Sequence, residues 1–142
     1  MLENVVHGDM LLAIIVRAGY KSSDIEFLTP GYFPQQLGCM NRGKGYVVEP
    51  HMHNMVERSI NLTQEVLFIR KGKVRVDFYG NQKQYLESRV LLQGDVALLA
   101  HGGHGLKMIE ESDIIEVKQG PYVGDQDKTR FKPVHSNNVV IR

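Results

Sequence analysis

The stretch 63-TQEVLFIRKGKVRVDFYG-80 decides the fold class. Two largely apolar runs, "EVLFIR" and "KVRVDFY", flank the pair Lys71-Gly72, and every other residue of the second run is apolar from Val74 to Phe78. This alternation is typical of a strand with one buried face, and a Lys-Gly pair between two such runs predicts a β-hairpin. The stretch therefore indicates a β-protein.

The segments on either side extend the pattern. "DMLLAIIVRAGY" before it is predicted as a strand, although periodicity alone leaves a helix open there. After it, glycine turns separate the predicted strands "QKQYLESRVLL", "VALLA", "HGLKMIE" and "SDIIEVK". Many short strands joined by glycine turns indicate an all-β sandwich or barrel.

Length and composition exclude several classes of protein. A chain of 142 residues fits one domain with a single core, and a net charge of +1 gives no support for nucleic-acid binding. The apolar run "MLLAIIV" is too short to span a bilayer and makes a poor signal peptide. The lone Cys39 excludes an intramolecular disulfide. We expect a cytoplasmic protein without a membrane or nucleic-acid partner.

Two histidines, His51 and His53, follow Pro50. On a strand they would point to the same face, and two converging neutral imidazoles suit a transition metal. A carboxylate would complete the site, and two glutamates compete for that role. Glu57 keeps the parity of the histidines, whereas Glu65 stands at the head of the strand that enters the Lys71-Gly72 turn. We favour Glu65, with Glu57 as the alternative.

A further ligand is predicted in "LLAHGGHGLKM". Gly102 and Gly103 allow a tight turn or a close approach immediately before His104. His101 is the alternative ligand, but His101 lies before the two glycines, at the end of the preceding strand. His104 is therefore the favoured residue.

These positions resemble the motifs of the cupin superfamily. The first motif, G-x5-H-x-H followed by E-x6-G, is matched through Gly45, His51, His53, Glu65 and Gly72, with eleven residues between the second histidine and the glutamate, more than is usual in that family. The resemblance implies a single-domain jelly-roll β-barrel.

The second cupin motif, G-x5-P-x-G-x2-H-x3-N, is matched more loosely by residues 94–108, "GDVALLAHGGHGLKM". Gly94 and Gly102 fit, Ala100 replaces the proline, His104 arrives one residue early, and the closing asparagine is missing. In the family, the positions matching His51, His53, Glu65 and His104 bind one divalent metal. The resemblance thus implies one divalent transition ion (Fe, Mn, Zn or Ni).

Domain boundaries and function follow from the same resemblance. One cupin domain would span residues 1–142, with N-terminal strands and turns in 1–33, the barrel core in about 34–119 and a loop and tail in 120–142. The segments "TQEVLFIRKGKVRVDFY", "GGHG" and "VKQGPY" are similar to small cupins associated with surface-polysaccharide and sugar-nucleotide pathways. A homodimer is expected, because small barrels often bury an edge strand by pairing.

Three functions remain open at this point. The first is a metal-dependent isomerase, epimerase or oxygenase acting on a carbohydrate, sugar nucleotide or hydroxy acid. The second is a metal-free sugar isomerase in which His51 or His53 transfers a proton. The third is a barrel that binds a small ligand without turnover. Lys128 and Arg130 in "GPYVGDQDKTRF" would contact an anionic substrate, although a loop along the side of the barrel with a dimer contact is preferred.

Overall fold

The computed structural model describes residues 1–142 and is all-β, as the sequence predicts. It has ten strands and two short 3-10 helices, Gly124–Asp127 and Ser136–Asn138. The strands are β1 (Leu2–His7), β2 (Met10–Val16), β3 (Ile25–Phe27), β4 (Gly38–Met40), β5 (Glu65–Lys71), β6 (Lys73–Tyr79), β7 (Tyr85–Leu92), β8 (Val96–Leu99), β9 (Gly103–Met108) and β10 (Asp113–Lys118). No helix has the length and apolar character that crossing a membrane requires.

The chain separates into two compact units. Unit 1 consists of Met1–Tyr20 and Thr63–Arg142, and it contains β1, β2 and β5 to β10. Unit 2 consists of Lys21–Leu62, and it contains β3 and β4. The predicted organisation as one cupin domain with a barrel core in about 34–119 stays a prediction.

Unit 1 is built as two antiparallel layers around one core. The strand order is β1-β2-β8-β5-β10 in the five-stranded sheet and β7-β6-β9 in the three-stranded sheet, and neither closes into a barrel. The core takes side chains from both sheets: Val5, Leu12, Ala13, Ile15, Leu67, Ile69, Ala97 and Leu99 from the first, and Val74, Val76, Phe78 and Leu91 from the second. Two sheets that bury one face each against the other explain the alternation seen in the sequence.

The alternation predicted around Lys71-Gly72 is confirmed, but the predicted hairpin is wrong. β5 pairs with β8 and β10, whereas β6 pairs with β7 and β9, so the turn carries the chain from one sheet to the other. Both strands can then bury their apolar faces in the same core, as Leu67 and Val76 do. Gly72 has a φ of +87°, and a Cβ there would collide with the carbonyl oxygen of Glu111.

A partly buried charge network connects the end of β2 to the turn between β7 and β8. The side chain of Asp95 accepts hydrogen bonds from the backbone N–H groups of Ala18 and Leu92, both at 2.9 Å, and from Arg17 Nη1 at 2.8 Å. Arg17 also donates two hydrogen bonds to Glu3 of β1, at 2.6 and 3.1 Å. The network leaves the buried carboxylate of Asp95 paired and connects β1, β2 and the turn between β7 and β8.

The C-terminal tail lies against the outer face of the three-stranded sheet. The hydroxyl of Tyr79 accepts a hydrogen bond from the backbone N–H of Val134 at 2.9 Å, and its ring packs edge-on against Phe131. Ile141 forms a parallel bridge with Ser88 in β7. The predicted loop and tail therefore contribute contacts to unit 1.

Unit 2 has little regular structure beyond the β3–β4 pair, in which Ile25 lies opposite Met40. Residues 46–61 form no strand, so the prediction that His51 and His53 lie on a strand is wrong. Pro50 lacks the N–H group that a ladder requires, and side chains alternate between two faces only where the backbone is held extended by pairing. The parity argument that linked Glu57 to the histidines fails for the same reason.

Candidate functional site

Two of the predicted ligands, Glu65 and His104, meet in unit 1. Glu65 is the first residue of β5 and shares the inward face with Leu67, and its side chain is only 8% exposed. His104 lies in β9 opposite Phe78 of β6, so it faces the same interior from the other sheet. Nε2 of His104 lies 3.0 Å from Oε2 of Glu65. The imidazole and the carboxylate thus join the two sheets at the end of the core.

The glycine pair before His104 sets the direction of its side chain. Gly102 has a φ of +71°, and a Cβ there would collide with the carbonyl oxygen of Tyr79. A Cβ on Gly103 would press against the ring of Phe131. Only glycine combines this left-handed turn with such a close approach, which confirms the tight turn predicted from the sequence.

The carboxyl group of Glu65 is charged at neutral pH. The hydrogen bond from His104 lowers the pKa of Glu65 most, while burial acts in the opposite direction and raises it. The electrostatic attraction of His104, Lys128 and Lys118 lowers this pKa further. Opposite charges and hydrogen bonds favour the ionised form, and here they outweigh desolvation.

The segment Lys118–Lys128 holds the start of β5. The hydroxyl of Thr63 donates a hydrogen bond to Oδ1 of Asp127 at 2.9 Å. The backbone N–H of Gln64 donates one to Oε1 of Gln119 at 2.6 Å. These two bonds fix the backbone immediately before the glutamate, so they position its side chain.

Two lysines of the same segment stand near the carboxylate. Nζ of Lys128 lies 3.8 Å from Oε1 of Glu65, and Nζ of Lys118 lies 3.5 Å from Oδ2 of Asp127. Burial lowers the pKa of Lys118, but the hydrogen bond to Asp127 and the attraction of nearby carboxylates, Glu65 among them, outweigh it and raise the pKa. Lys118 therefore keeps its positive charge beside the Glu65–His104 pair.

Sequence reasoning missed Lys118, and it placed Asp127 and Lys128 in a loop for which a dimer contact was preferred over contact with an anionic substrate. For Lys118 the sequence does hold a signal, which is the alternation of side chains along β10. Ile114 packs against the core from β10, and residues two and four positions later share its face of the strand. Asp127 and Lys128 lie in and just after a 3-10 helix, where no periodicity indicates direction.

The other two predicted ligands lie in unit 2. His51 and His53 are both exposed in the irregular segment 46–61, and their ring centroids are 5.3 Å apart in an edge-on arrangement. Nδ1 of His51 lies 2.9 Å from the carbonyl oxygen of Glu49, which suits a ring that donates from Nδ1 and keeps Nε2 as a lone-pair donor. The two imidazoles thus remain close together without a strand to align them.

The two residues that rivalled these ligands have other surroundings. Glu57 is exposed in the irregular segment of unit 2. Nδ1 of His101 lies 2.8 Å from the carbonyl oxygen of Leu11, so this ring fastens the end of β8 to β2. His101 is thus tied into the backbone of unit 1 through Nδ1.

The donor types of the Glu65–His104 pair fit a first-row transition ion, because imidazole nitrogen and carboxylate oxygen both coordinate such ions. In neither unit do three or more His, Cys, Asp or Glu side chains gather as a metal-binding group. The set of four ligands predicted from the sequence stays a prediction.

A separate open groove of about 630 Å³ lies on unit 1 between Arg17, Gly19, Lys73 and Leu92. The guanidinium of Arg17 is already bound by Glu3, Asp95 and the carbonyl oxygen of Val90. Four of the five N–H donors of Arg17 are engaged in this way, so the guanidinium has little left to offer a ligand, and the candidate site stays at the Glu65–His104 pair.

Comparison of the chain with protein-family models, curated proteins and solved structures gives no match. The resemblance to cupins therefore rests on the motif residues alone.

Proposed function

We propose that this protein is a cupin-like metalloprotein that acts on a small polar substrate. One observation carries the proposal: Glu65 and His104, which are far apart in the sequence and match the glutamate and last histidine of the two motifs, lie 3.0 Å apart. Neutral nitrogen and anionic oxygen donors held together on rigid strands are what a divalent transition ion requires.

The architecture of unit 1 supports the jelly-roll part of the proposal. Its eight strands, β1, β2 and β5 to β10, form two antiparallel sheets around one core, and a jelly roll is an eight-stranded double sheet. The edge strands β1 and β10 are the surfaces through which the proposed homodimer would pair. A cytoplasmic location belongs to the same proposal.

Each residue of the site has a defined task in this proposal. Glu65 and His104 supply two ligands, and the ligand roles predicted for His51 and His53 stay predictions. A bound divalent ion would supply polarisation of a substrate oxygen or activation of water. The hydrogen bonds at Thr63 and Gln64 hold the backbone so that the carboxylate keeps its direction.

Paired substitutions of the two glutamates test the proposal. Chelator-treated, untagged protein is titrated with Zn²⁺ and Mn²⁺ in the wild type and in Glu65→Gln, His104→Gln and Glu57→Gln. We expect the first two variants to bind at least about tenfold more weakly, and Glu57→Gln to bind as the wild type does. Loss only in Glu57→Gln would transfer the ligand role to that residue, and no loss in any variant would reject the site.

A second candidate function is metal-free proton transfer, which the Glu65–His104 hydrogen bond favours. A carboxylate that holds an imidazole fixes its tautomer and stabilises its protonated form, as a general acid or base requires. Turnover in a sugar-nucleotide screen that survives chelation and is lost in His104→Gln would support it. Binding without turnover would point to a ligand-binding barrel.

A further inference from the structure

The two lysines at the candidate site differ in how firmly they are held. The side chain of Lys118 is 18% exposed and its ammonium group is near Asp127. The side chain of Lys128 is 46% exposed, and its Nζ lies 3.8 Å from Oε1 of Glu65, slightly farther than the 3.5 Å between Lys118 and Asp127. Lys128 is therefore the more exposed and the more loosely paired of the two lysines, and it has more room to turn toward a ligand.

While no cation is bound and the ring of His104 is neutral, the charges of the site are balanced. Lys118 and Lys128 offset the two carboxylates, Glu65 and Asp127. A divalent ion held by Glu65 and His104 would leave net positive charge in a partly buried place. An anionic group is the ligand that offsets such a charge.

We propose that the substrate carries a phosphate or carboxylate group and that Lys128 binds it. This inference rests on the proposed function and names the substrate class. Lys128 moves from Glu65 to the anion, and Lys118 stays on Asp127 and adds attraction without a direct contact. A lysine suits this task, because its ammonium group is a compact charge with three donors on a flexible stem.

Arg130 is a poorer candidate for the anion-binding residue. Nη2 of Arg130 lies 2.9 Å from Oδ1 of Asp125, and both side chains are well exposed. A cation already paired in solvent contributes little to binding. The position of Lys128 beside Glu65 is what assigns the role to it.

The test is a nuclear magnetic resonance titration with inorganic phosphate and with acetate, followed through the ring signals of His104. It uses the metal-free full chain and the Zn²⁺-loaded full chain with free metal removed. The variants are Lys128→Gln and, as a matched control, Lys132→Gln, whose lysine is exposed and lies four residues along the chain. Titration with phosphate tests recognition of a phosphate group, and titration with acetate tests recognition of a carboxylate group.

We expect at least one of the anions to shift the His104 signals, about fivefold weaker binding in Lys128→Gln, and unchanged binding in Lys132→Gln. Equal affinities in the wild type and Lys128→Gln in both forms would overturn the inference, as would no shift with either anion. If the protein takes up no metal, the proposed function fails. The metal-free titration still decides the role of Lys128.

Discussion

The protein presents its two pairs of predicted ligands in contrasting surroundings. Glu65 and His104 begin or nearly begin strands of facing sheets, and ladder pairing sets the direction of each side chain. His51 and His53 lie exposed in the irregular segment 46–61. Strand pairing therefore orients the first pair in advance, whereas local contacts such as the one between His51 and Glu49 orient the second.

This contrast teaches that a motif specifies residue types more reliably than backbone geometry. The histidine pair was predicted from strand parity, and Glu65 and His104 from their places beside glycine turns, but only β5 and β9 have the partner strands that fix the direction of a side chain. The contrast makes quantitative predictions about stability, which we order from the largest expected effect.

The largest effect is expected in the core beneath the first pair. Leu67→Ala removes a fully buried side chain next to Glu65 on the same face, so we expect unfolding to become easier by about 3 kcal/mol. Val47→Ala, in the exposed segment of unit 2, should change stability by no more than about 0.5 kcal/mol. Urea denaturation measures the free energy of unfolding of both variants. Equal losses in Leu67→Ala and Val47→Ala would contradict the difference between the packed core and the exposed segment.

The next effect concerns the turn that directs His104. Gly102→Ala should cost about 2–3 kcal/mol of unfolding free energy, because the new Cβ meets the carbonyl oxygen of Tyr79 at a φ of +71°. Gly8 has a φ of +58° with open space around it. Gly8→Ala should therefore lower the free energy of unfolding by only about 1 kcal/mol, the cost of backbone strain without a collision. Thermal unfolding of the two variants measures the difference. An equal loss of stability in Gly102→Ala and Gly8→Ala would contradict the close approach of Gly102 to Tyr79.

A smaller effect is expected from the charge of Glu65. Its pKa is lowered on folding by His104 and the lysines, so its stabilisation is present above the unfolded pKa of about 4.3 and is lost as the pH falls through the folded pKa. At pH 7 the free energy of unfolding of the wild type should exceed that of Glu65→Gln by about 1.5 kcal/mol, which is the scale of a hydrogen bond to a charged group. Denaturant midpoints between pH 7 and pH 2 measure this.

In the same experiment the difference between the wild type and Glu65→Gln should shrink steadily at acid pH. Glu57→Gln serves as the control, because Glu57 is exposed and its substitution should leave the pH profile unchanged. A pH-independent difference for Glu65→Gln would show that its carboxylate is not stabilised by the site.

The smallest effect on stability is expected for the second pair. His51→Ala combined with His53→Ala should change the free energy of unfolding by less than about 0.5 kcal/mol, because both rings are exposed. The proposal that they are ligands requires the same double variant to bind Zn²⁺ more weakly. Unchanged metal affinity would restrict the site to unit 1.

The sequence predicts the strands well and their partners poorly. The alternation from Val74 to Phe78 reports one buried face, and that prediction is confirmed. The Lys71-Gly72 pair marks a turn but does not state whether the turn joins paired strands or two sheets. Partner choice depends on long-range packing in the core, which no local pattern records.

The site was predictable to the same degree. Gly102 and His104 were identified because a left-handed glycine has a local sequence signature. Glu65 was identified by its place at the head of the strand that enters the Lys71-Gly72 turn. Asp127 ends a short 3-10 helix and Lys128 follows it, and the position of this segment depends on the hydrogen bond between Thr63 and Asp127 and on charge rather than on periodicity.

The most direct test of the central claim is elemental analysis of untagged protein by plasma mass spectrometry, before and after dialysis against a chelator. We predict close to one transition ion per chain, removed by the chelator, restored by supplementation, and absent from His104→Gln. A protein that stays metal-free after supplementation with several divalent ions would contradict the metal-binding function and leave the Glu65–His104 pair to proton transfer or ligand binding.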